Sequence, residues 1–517
     1  MSRRILPAVL LLVCHSACAD TLRRGLGPEP DSLDIHEAQG LSAIHLLRET
    51  REGLMTFDAR GELAPGVAAS WEVLDQGRLF RFRLRGEARW SNGDPLVADD
   101  FVRAWQAAVT PASAARTAAL LGPVQNARAI LEGRLDPAAL GIRAVATHEL
   151  EIRLQQAAPW FTEILAHPVS FPLHPGAATN PRDAPVNGAF QVVEAVPHAM
   201  IRLAANPLYH AADSVRLAAV EYLPIEDPAA ELARYRAGEL DITETIPAGR
   251  YDWLRGNLAA ELHVHPYLGS FWLGFNLARE PFRENPDLRR ALALAVDRET
   301  LVRVVLGAGE LPAWSIVPPG LPGYQPRADN AAGLDRDSRE AKARQLYRAA
   351  GYGKGRELLV ELRFNTSSLH RRMAVAVAAM WKQVLGVGTE LINEEWKVFV
   401  NNRRQGVITQ VFRGGWIADF ADPESFLDLF RSGNELNTTF YANTRYDALL
   451  DQAGLLQGAR RMAALQQAEL ALMRDMPVIP LYYYVSRHLV KPGVRGFEDN
   501  VRDIHLSRYL SLDRDTR

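Results

Sequence analysis

Apolar and polar positions along this 517-residue chain switch repeatedly between a period of two and a period near 3.6. Leu79 to Leu84 sets apolar residues against arginines in strict alternation, the pattern of a half-buried strand. Thr21 to Gly27 is short and strand-like. Gly141 to Leu154 predicts a hairpin turning at Thr147-His148. His263 to Asn276 is apolar and aromatic, with Gly269 and Gly274 inside it, and predicts a strand passing between domains. Met476 to Val485 predicts a buried strand. Helical spacing covers Ser42 to Gly53, Asp287 to Leu306 and Ser368 to Leu385, the last ended by Gly386. It also covers Arg339 to Ala350, ended by Gly351, and Arg460 to Asp475. Ala229 to Ala237 predicts a helix stopped by Gly238, with a strand at Leu240 to Thr243 after it. Strands and helices alternating in this way imply an α/β fold. There is no short-period repeat and no low-complexity tract.

One stretch stands apart. An apolar run from Val407 to Phe412 predicts a buried strand that leads into Arg413. Gly414 and Gly415 then remove side chains, so that another backbone can come close. Trp416 offers a flat wall. Asp422-Pro423 has the form of a helix N-cap with proline at the first helical position, opening a helix from Glu424 to Phe430. Asp422 thus has a structural task, and Asp419 is left as a lone carboxylate.

Composition narrows the class. Apolar residues make up 48% and charged residues 23%, an ordinary globular balance. The length calls for two or three domains. The 59 basic and 61 acidic residues leave a net charge of −2, which excludes a nucleic-acid surface. Residues 1–19 have the form of a secretory leader: Arg3 and Arg4, a short apolar core from Ile5 to Val13, and Ala17-Cys18-Ala19 before Asp20. Both cysteines, Cys14 and Cys18, fall inside it, so the mature chain has no disulfide. The rival reading is a lipoprotein anchored at Cys18, against which His15 stands where an apolar residue is wanted. No other stretch is long and apolar enough to span a membrane.

Catalytic signatures are missing. There is no HExxH motif, GxSxG elbow, P-loop or GxGxxG after a strand. His263 and His265 alternate on a predicted strand as two potential metal ligands, without a third. Asp422, Glu424 and Asp428 lack the glycine and spacing of a calcium loop. We therefore expect no catalytic residue, no metal and no cofactor.

Several long segments occur together and in order: Gly61 to Trp71, Trp90 to Pro95, Pro185 to Phe190, Arg290 to Arg298, Asn365 to His370, Glu395 to Lys397, Gly415 to Asp419 and Tyr482 to Pro492. On these segments the chain, from about Thr21 to its C-terminus, resembles the periplasmic oligopeptide-binding proteins of ABC importers. The resemblance implies an α/β, three-domain, bilobal (Venus-flytrap) protein. Domain I would comprise residues 20–48, 167–269 and 487–517; domain II, 49–166; and domain III, 270–486. It implies a periplasmic, monomeric protein that closes on short peptides and delivers them to a membrane permease. Asp419 matches the carboxylate that pairs with the peptide ammonium. Arg413 and His370 match groups that meet the peptide carboxylate. Backbone groups at Gly415 and Ile417 would bond the ligand as an added strand, and Trp396, Trp416 and Arg403 would line side-chain pockets. Near the N-terminus, Pro28 and Pro30 remove two donors, and the other edge keeps Glu29 as a peptide-binding position.

Spacing sets a ruler: Arg413 and Asp419 lie roughly 20 Å apart if extended at about 3.3 Å per residue. For Arg413 to serve a tripeptide, the glycine pair must bend the chain. The family's hinge-to-loop disulfide falls here on Gly269 and Ile417 and is lost. A family tyrosine near the ligand backbone falls on Thr117, and an acidic pocket residue falls on Gly274. Alternatives with the same build are a receptor for murein peptides or another small solute, or a signalling receptor; less in keeping with the residues is a secreted hydrolase using Asp419 and Asp422. The family lysine that meets dipeptide carboxylates falls on Leu306. Calorimetry should accordingly show dipeptides binding more weakly than tripeptides.

Overall fold

The computed structural model describes residues 21–38, 40–111, 117–176, 184–328, 330–406 and 409–513. The leader with Cys14 and Cys18, and the start of the run at Val407, lie outside the described residues.

Strand β1 (Thr21–Gly27) precedes helix α1 (Leu41–Thr50). Next come β2 (Ala68–Leu74) and β3 (Leu79–Leu84), then helix α2 (Ala98–Val109). In β3 the apolar positions Phe80, Phe82 and Leu84 are buried while Arg81 and Arg83 face out, as the alternation requires. Asp100 fixes the start of α2: its carboxylate accepts from Val97 N at 3.1 Å and from Trp90 Nε1 at 3.0 Å. That bond ties the Trp90 turn to the helix. The predicted hairpin forms as β4 (Ile142–Ala146) and β5 (Glu149–Arg153). Strands β6 (Phe190–Val196), β7 (Met200–Ala205) and β8 (Ala219–Pro224) follow.

Two four-stranded sheets result, in the orders β1-β8-β7-β6 and β2-β3-β5-β4. Each has its own apolar core. Leu22, Phe190, Leu203 and Val220 pack on the first. Phe82, Trp90, Phe101, Trp105 and Phe161 pack on the second.

The remaining chain builds one larger sheet. Strand β9 (Leu262–Phe275) leads to α3 (Pro286–Leu294), β10 (Leu311–Pro312) and β11 (Leu359–Asn365). Then come α4 (Ser368–Leu385), β12 (Gly388–Glu394), α5 (Trp396–Gln405) and β13 (Val411–Ile417). Helix α6 (Gly458–Asp475) and strand β14 (Val478–Leu489) complete it. The order is β10-β14-β9-β13-β11-β12. Both faces are covered, which is why its strands carry near-continuous apolar runs. Along β9, Phe271, Leu273 and Phe275 enter one core, and Leu268 and Trp272 enter the other.

β9 and β14 are long enough to cross between lobes. They pair from Leu262↔Leu489 to Gly274↔Val478, with an irregularity between Pro266 and Ser270. Proline has no N–H to give the ladder. At this break Leu268 N donates to Val501 O at 3.0 Å, while Leu268 O accepts from Ala418 N at 2.9 Å. One residue thus links the C-terminal segment to the loop that follows β13.

Three elements differ from the pattern reading. The long helix predicted from Asp287 to Leu306 is broken into α3, a short turn at Arg298–Thr300 and a wide turn at Leu301–Leu306. Asp297 caps the second piece through Thr300 N at 3.0 Å. Buried Arg298 turns inward to the carbonyls of Ala313 and Pro480, both at 2.8 Å, which an uninterrupted helix could not present. Leu240–Thr243 is not a strand; Ile242 makes only single bridges to Arg24 and Val490. The run predicted to end at Phe412 is shifted, because β13 begins at Val411 and continues through both glycines to Ile417.

The C-terminal segment is anchored by a buried ion pair. Arg508 Nη1 donates to Glu52 Oε2 at 2.6 Å and to Tyr209 Oη at 2.8 Å. The residues are 5% and 2% exposed. Arg508→Met leaves Glu52 with His210 at 2.6 Å and Tyr209 at 2.7 Å as its remaining partners, so it should cost about 1–3 kcal/mol, read from urea unfolding.

Candidate ligand-binding site

β13 is paired along one edge and largely bare along the other. It runs antiparallel to β9 without a break from Val411↔Phe275 to Ile417↔Gly269. β11 meets it only at Val411 and Phe412. The bond from Ala418 N to Leu268 O sets the phase of the ladder. Antiparallel alternation then turns the backbone groups of Gly414 and Trp416 toward β9, and those of Gly415 and Ile417 toward the open edge. Arg413 O also faces away from β9 and accepts from Arg403 Nη1 at 3.5 Å.

The glycine pair does not bend the chain, so the condition for Arg413 to serve a tripeptide is not met. Its register is unbroken, and its use is different. A methyl at Gly414 would run into the indole nitrogen of Trp272, and one at Gly415 would press on the Tyr484 hydroxyl. Side chains from β9 and β14 fill the space.

Asp419 lies just past the end of β13. Its backbone N donates to Ser425 Oγ at 3.3 Å. Phe420, the next residue, stacks on Trp160 from the first lobe, with ring centres 4.2 Å apart and planes 10° from parallel. The loop therefore sits where the lobes meet. Asp422 is accounted for: Oδ1 caps Glu424 N at 2.9 Å, and Arg461 grips both oxygens at 2.5 and 2.8 Å. The helix it opens is a single turn, Glu424–Leu427, continued as a tighter turn at Asp428–Phe430. No described residue pairs with the carboxylate of Asp419. That residue is open to solvent, yet protein crowds its carboxylate, and this burial pushes its pKa up to about 6.

The other end of the strand is cationic. Arg413 Nε donates to Asn365 Oδ1 at 2.8 Å. Its guanidinium lies over the rings of Trp396 (5.2 Å), Phe271 and Phe399 (both 5.8 Å). Burial lowers its pKa, and no described carboxylate pairs with it. His370 sits in the first turn of α4, whose cap Ser367 accepts from His370 N at 3.4 Å. Burial, and then the charge of Arg413, push the imidazole down to about 4, so it is neutral at pH 7. His370 Nδ1 is buried without a partner. Arg403 is pushed down to about 10 by burial and then by Arg413 and Arg404. Cationic groups and a helix N-terminus thus converge with no anion among them.

Arg403 and Trp416 line a cavity of about 70 Å³ beside Gly415, with Trp272, Leu436 and Thr438. Trp396 is 48% exposed and packs on Arg413 instead of lining that cavity. Glu29 belongs to the first lobe, where its carboxylate accepts from His198 N at 3.0 Å. Phe399 was missed by the sequence reading, although its spacing from Trp396 puts both on one face of α5. Gly269 and Ile417 are direct cross-strand neighbours, but a side chain at Gly269 would strike the Tyr484 ring. At Gly274 the Phe412 ring fills the space.

Residues 62–438 match the family model described as bacterial extracellular solute-binding proteins, family 5 Middle. The periplasmic murein peptide-binding protein MppA of Escherichia coli K12 is 35% identical over 501 residues, covering 95% of this chain and 93% of that protein. The periplasmic oligopeptide-binding protein OppA of the same strain is 35% identical over 488 residues, covering 92% and 89%. The solved MppA structure described as its unliganded open form overlays with a TM-score of 0.87 at 34% identity, covering 97% of this chain and 99% of that one.

Because Gly414 has no room for a methyl, Gly414→Ala should destabilise the β13 edge by about 1–3 kcal/mol, read from urea unfolding. The same substitution at exposed Gly86, which meets nothing, serves as the control.

Proposed function

Since the chain belongs to the family 5 bacterial extracellular solute-binding proteins, we propose that it captures short peptides along the open edge of β13 and delivers them to an ABC importer. The observation that carries this reading is the unpaired Asp419 carboxylate at one end of a bare strand edge whose other end is cationic. The peptide ammonium meets Asp419. Its carboxylate meets Arg413, with His370 and the start of α4 beside it. Arg413 is suited to a two-pronged grip. Between the ends, Gly415 and Ile417 bond the ligand main chain, which leaves side-chain identity open. The cavity holding Arg403 and Trp416 takes one ligand side chain. Four intervals of extended strand separate Arg413 from Ile417, about 13 Å. That span suits a ligand of about four or five residues.

The reading treats the protein as a periplasmic monomer without catalytic residues, divided at the domain limits given above. No helix among the described residues is long and apolar enough to cross a membrane. The likeness to an open, unliganded form fits a receptor waiting for cargo: ligand binds the closed arrangement better and shifts the population toward it. Likeness to MppA keeps a murein peptide as a second candidate within the same groove.

Two tests follow. Asp419→Asn should weaken a free tetrapeptide by at least about 2 kcal/mol, some thirtyfold, in calorimetry. An N-acetylated tetrapeptide should bind the native protein with a similar deficit and be indifferent to the substitution. Equal affinity for free and acetylated peptides would remove Asp419 from the site.

The second test uses acidity. A raised carboxyl pKa means that Asp419 is ionised above about pH 6 and protonated below it. The protonated form cannot pair with an ammonium. Affinity should hold near neutrality and fall as pH drops through about 6, by up to about tenfold per unit. Asp419→Asn should flatten that profile.

A further inference from the structure

The end of β14 meets the C-terminal segment at a second cluster of titratable side chains, which contains none of the peptide-site residues named above. His488 Nε2 lies 2.7 Å from Asp503 Oδ1, and His505 Nε2 lies 3.1 Å from the same oxygen. All three ligand atoms lie within 4.8 Å of one another. We infer that His488, Asp503 and His505 form a site for one divalent transition-metal ion of the zinc type.

The donor set is the first argument. Two imidazoles and one carboxylate suit zinc and leave a fourth position for water. Magnesium and calcium would want oxygen donors instead. Spacing is the second. Ligand atoms about 2.0–2.2 Å from a tetrahedral ion stand some 3–3.5 Å from each other. The two nitrogen-to-oxygen separations, 2.7 and 3.1 Å, lie just below and within that range, so a small opening admits an ion where the two nitrogens now lean on one oxygen.

Ring orientation is the third argument. His488 Nδ1 lies 2.9 Å from the carbonyl oxygen of Thr243. A backbone carbonyl behind a ligating histidine holds the Nδ1 proton, so an ion arriving at Nε2 replaces the proton that Nε2 now shares with Asp503. His505 stacks on Phe497, with ring centres 4.0 Å apart and planes 18° from parallel. Its Nδ1 is buried without a partner, so the stacking on Phe497, and no hydrogen bond at Nδ1, sets the direction in which Nε2 points. Access is the fourth. The side chains of His488 and His505 are buried, whereas that of Asp503 is 21% exposed, so an ion can enter from solvent at the carboxylate.

No sequence spacing announces this site. His263 and His265, the pair suggested by alternation, take other partners: His263 pairs with Asp499 at 3.2 Å, and His265 faces the Pro266 carbonyl at 2.9 Å. The rival is a triad held by hydrogen bonds alone. A bound ion would rivet the end of β14 to the segment that carries Arg508.

The test uses tag-free, chelator-treated full-length protein without peptide. Zinc titrated by calorimetry near neutral pH should bind at one ion per chain with a dissociation constant of low micromolar or below. Cobalt should give visible absorption that saturates at one equivalent. His505→Gln should weaken zinc at least tenfold, and His263→Gln should leave it unchanged. Thermal unfolding checks that each variant is folded. If His505→Gln does not fold, the cobalt spectrum of the native protein decides: no saturating band at one equivalent rejects the site. Zinc binding undiminished in folded His505→Gln rejects it as well.

Discussion

A carboxylate without a counter-charge, set beside a strand edge without a partner, is the constraint to which the second lobe is fitted. Either feature is unfavourable alone. A carboxylate crowded by protein without a counter-charge resists ionisation, and an open ladder leaves donors and acceptors to water. The surrounding fold protects both from internal repair. Arg461, the cation in this loop's neighbourhood, is fully taken by Asp422 and Glu424. Arg413, the cation on the same strand, is held toward Asn365 and three aromatic rings. Because β13 stays straight through Gly414 and Gly415, Arg413 and Asp419 cannot collapse onto each other. A zwitterionic ligand can satisfy both at once.

The same straightness explains the use of small residues. Gly269, Gly414 and Gly415 are places where aromatic side chains of β9 and β14 lie flat against backbone. Packing of Trp272 and Tyr484 stiffens the sheet from within, and the register that presents Gly415 and Ile417 outward depends on it. The Gly269–Ile417 pair shows this trade directly. The two positions are neighbours across the ladder, yet Tyr484 occupies the space a bridging side chain would need. In this chain the loop is held instead by Phe420 on Trp160 and by Ala418 on Leu268. Those contacts lie beside the break in the β9–β14 ladder between Pro266 and Ser270.

Much of the fold was legible because period and punctuation are local. Alternation in Leu79–Leu84, the cap and stop of Ser368–Leu385, and the hairpin at Thr147-His148 each depend on residues within a few positions. Failures came where distant partners decided. Arg298 interrupts a helix because the carbonyls it satisfies, Ala313 and Pro480, arrive from elsewhere. Leu240–Thr243 has strand composition but meets only single bridges. For the candidate site, Asp419, Arg413, His370, Gly415 and Ile417 could be named from resemblance and from elimination of Asp422. The aromatic cradle around Arg413 could not be named, since it joins β9, α5 and β13.

By itself, then, the sequence determined the α/β class, the positions of the main helices and strands, and which carboxylate in the 413–422 stretch lacked a structural task. Those follow from periodicity and capping, which are short-range. Tertiary structure alone decided that the glycine pair runs straight, that one edge of β13 stays bare, and that His488, Asp503 and His505 gather where the end of β14 meets the C-terminal segment. Each depends on which distant strand or ring fills a given space, and packing settles that only when the whole chain has come together.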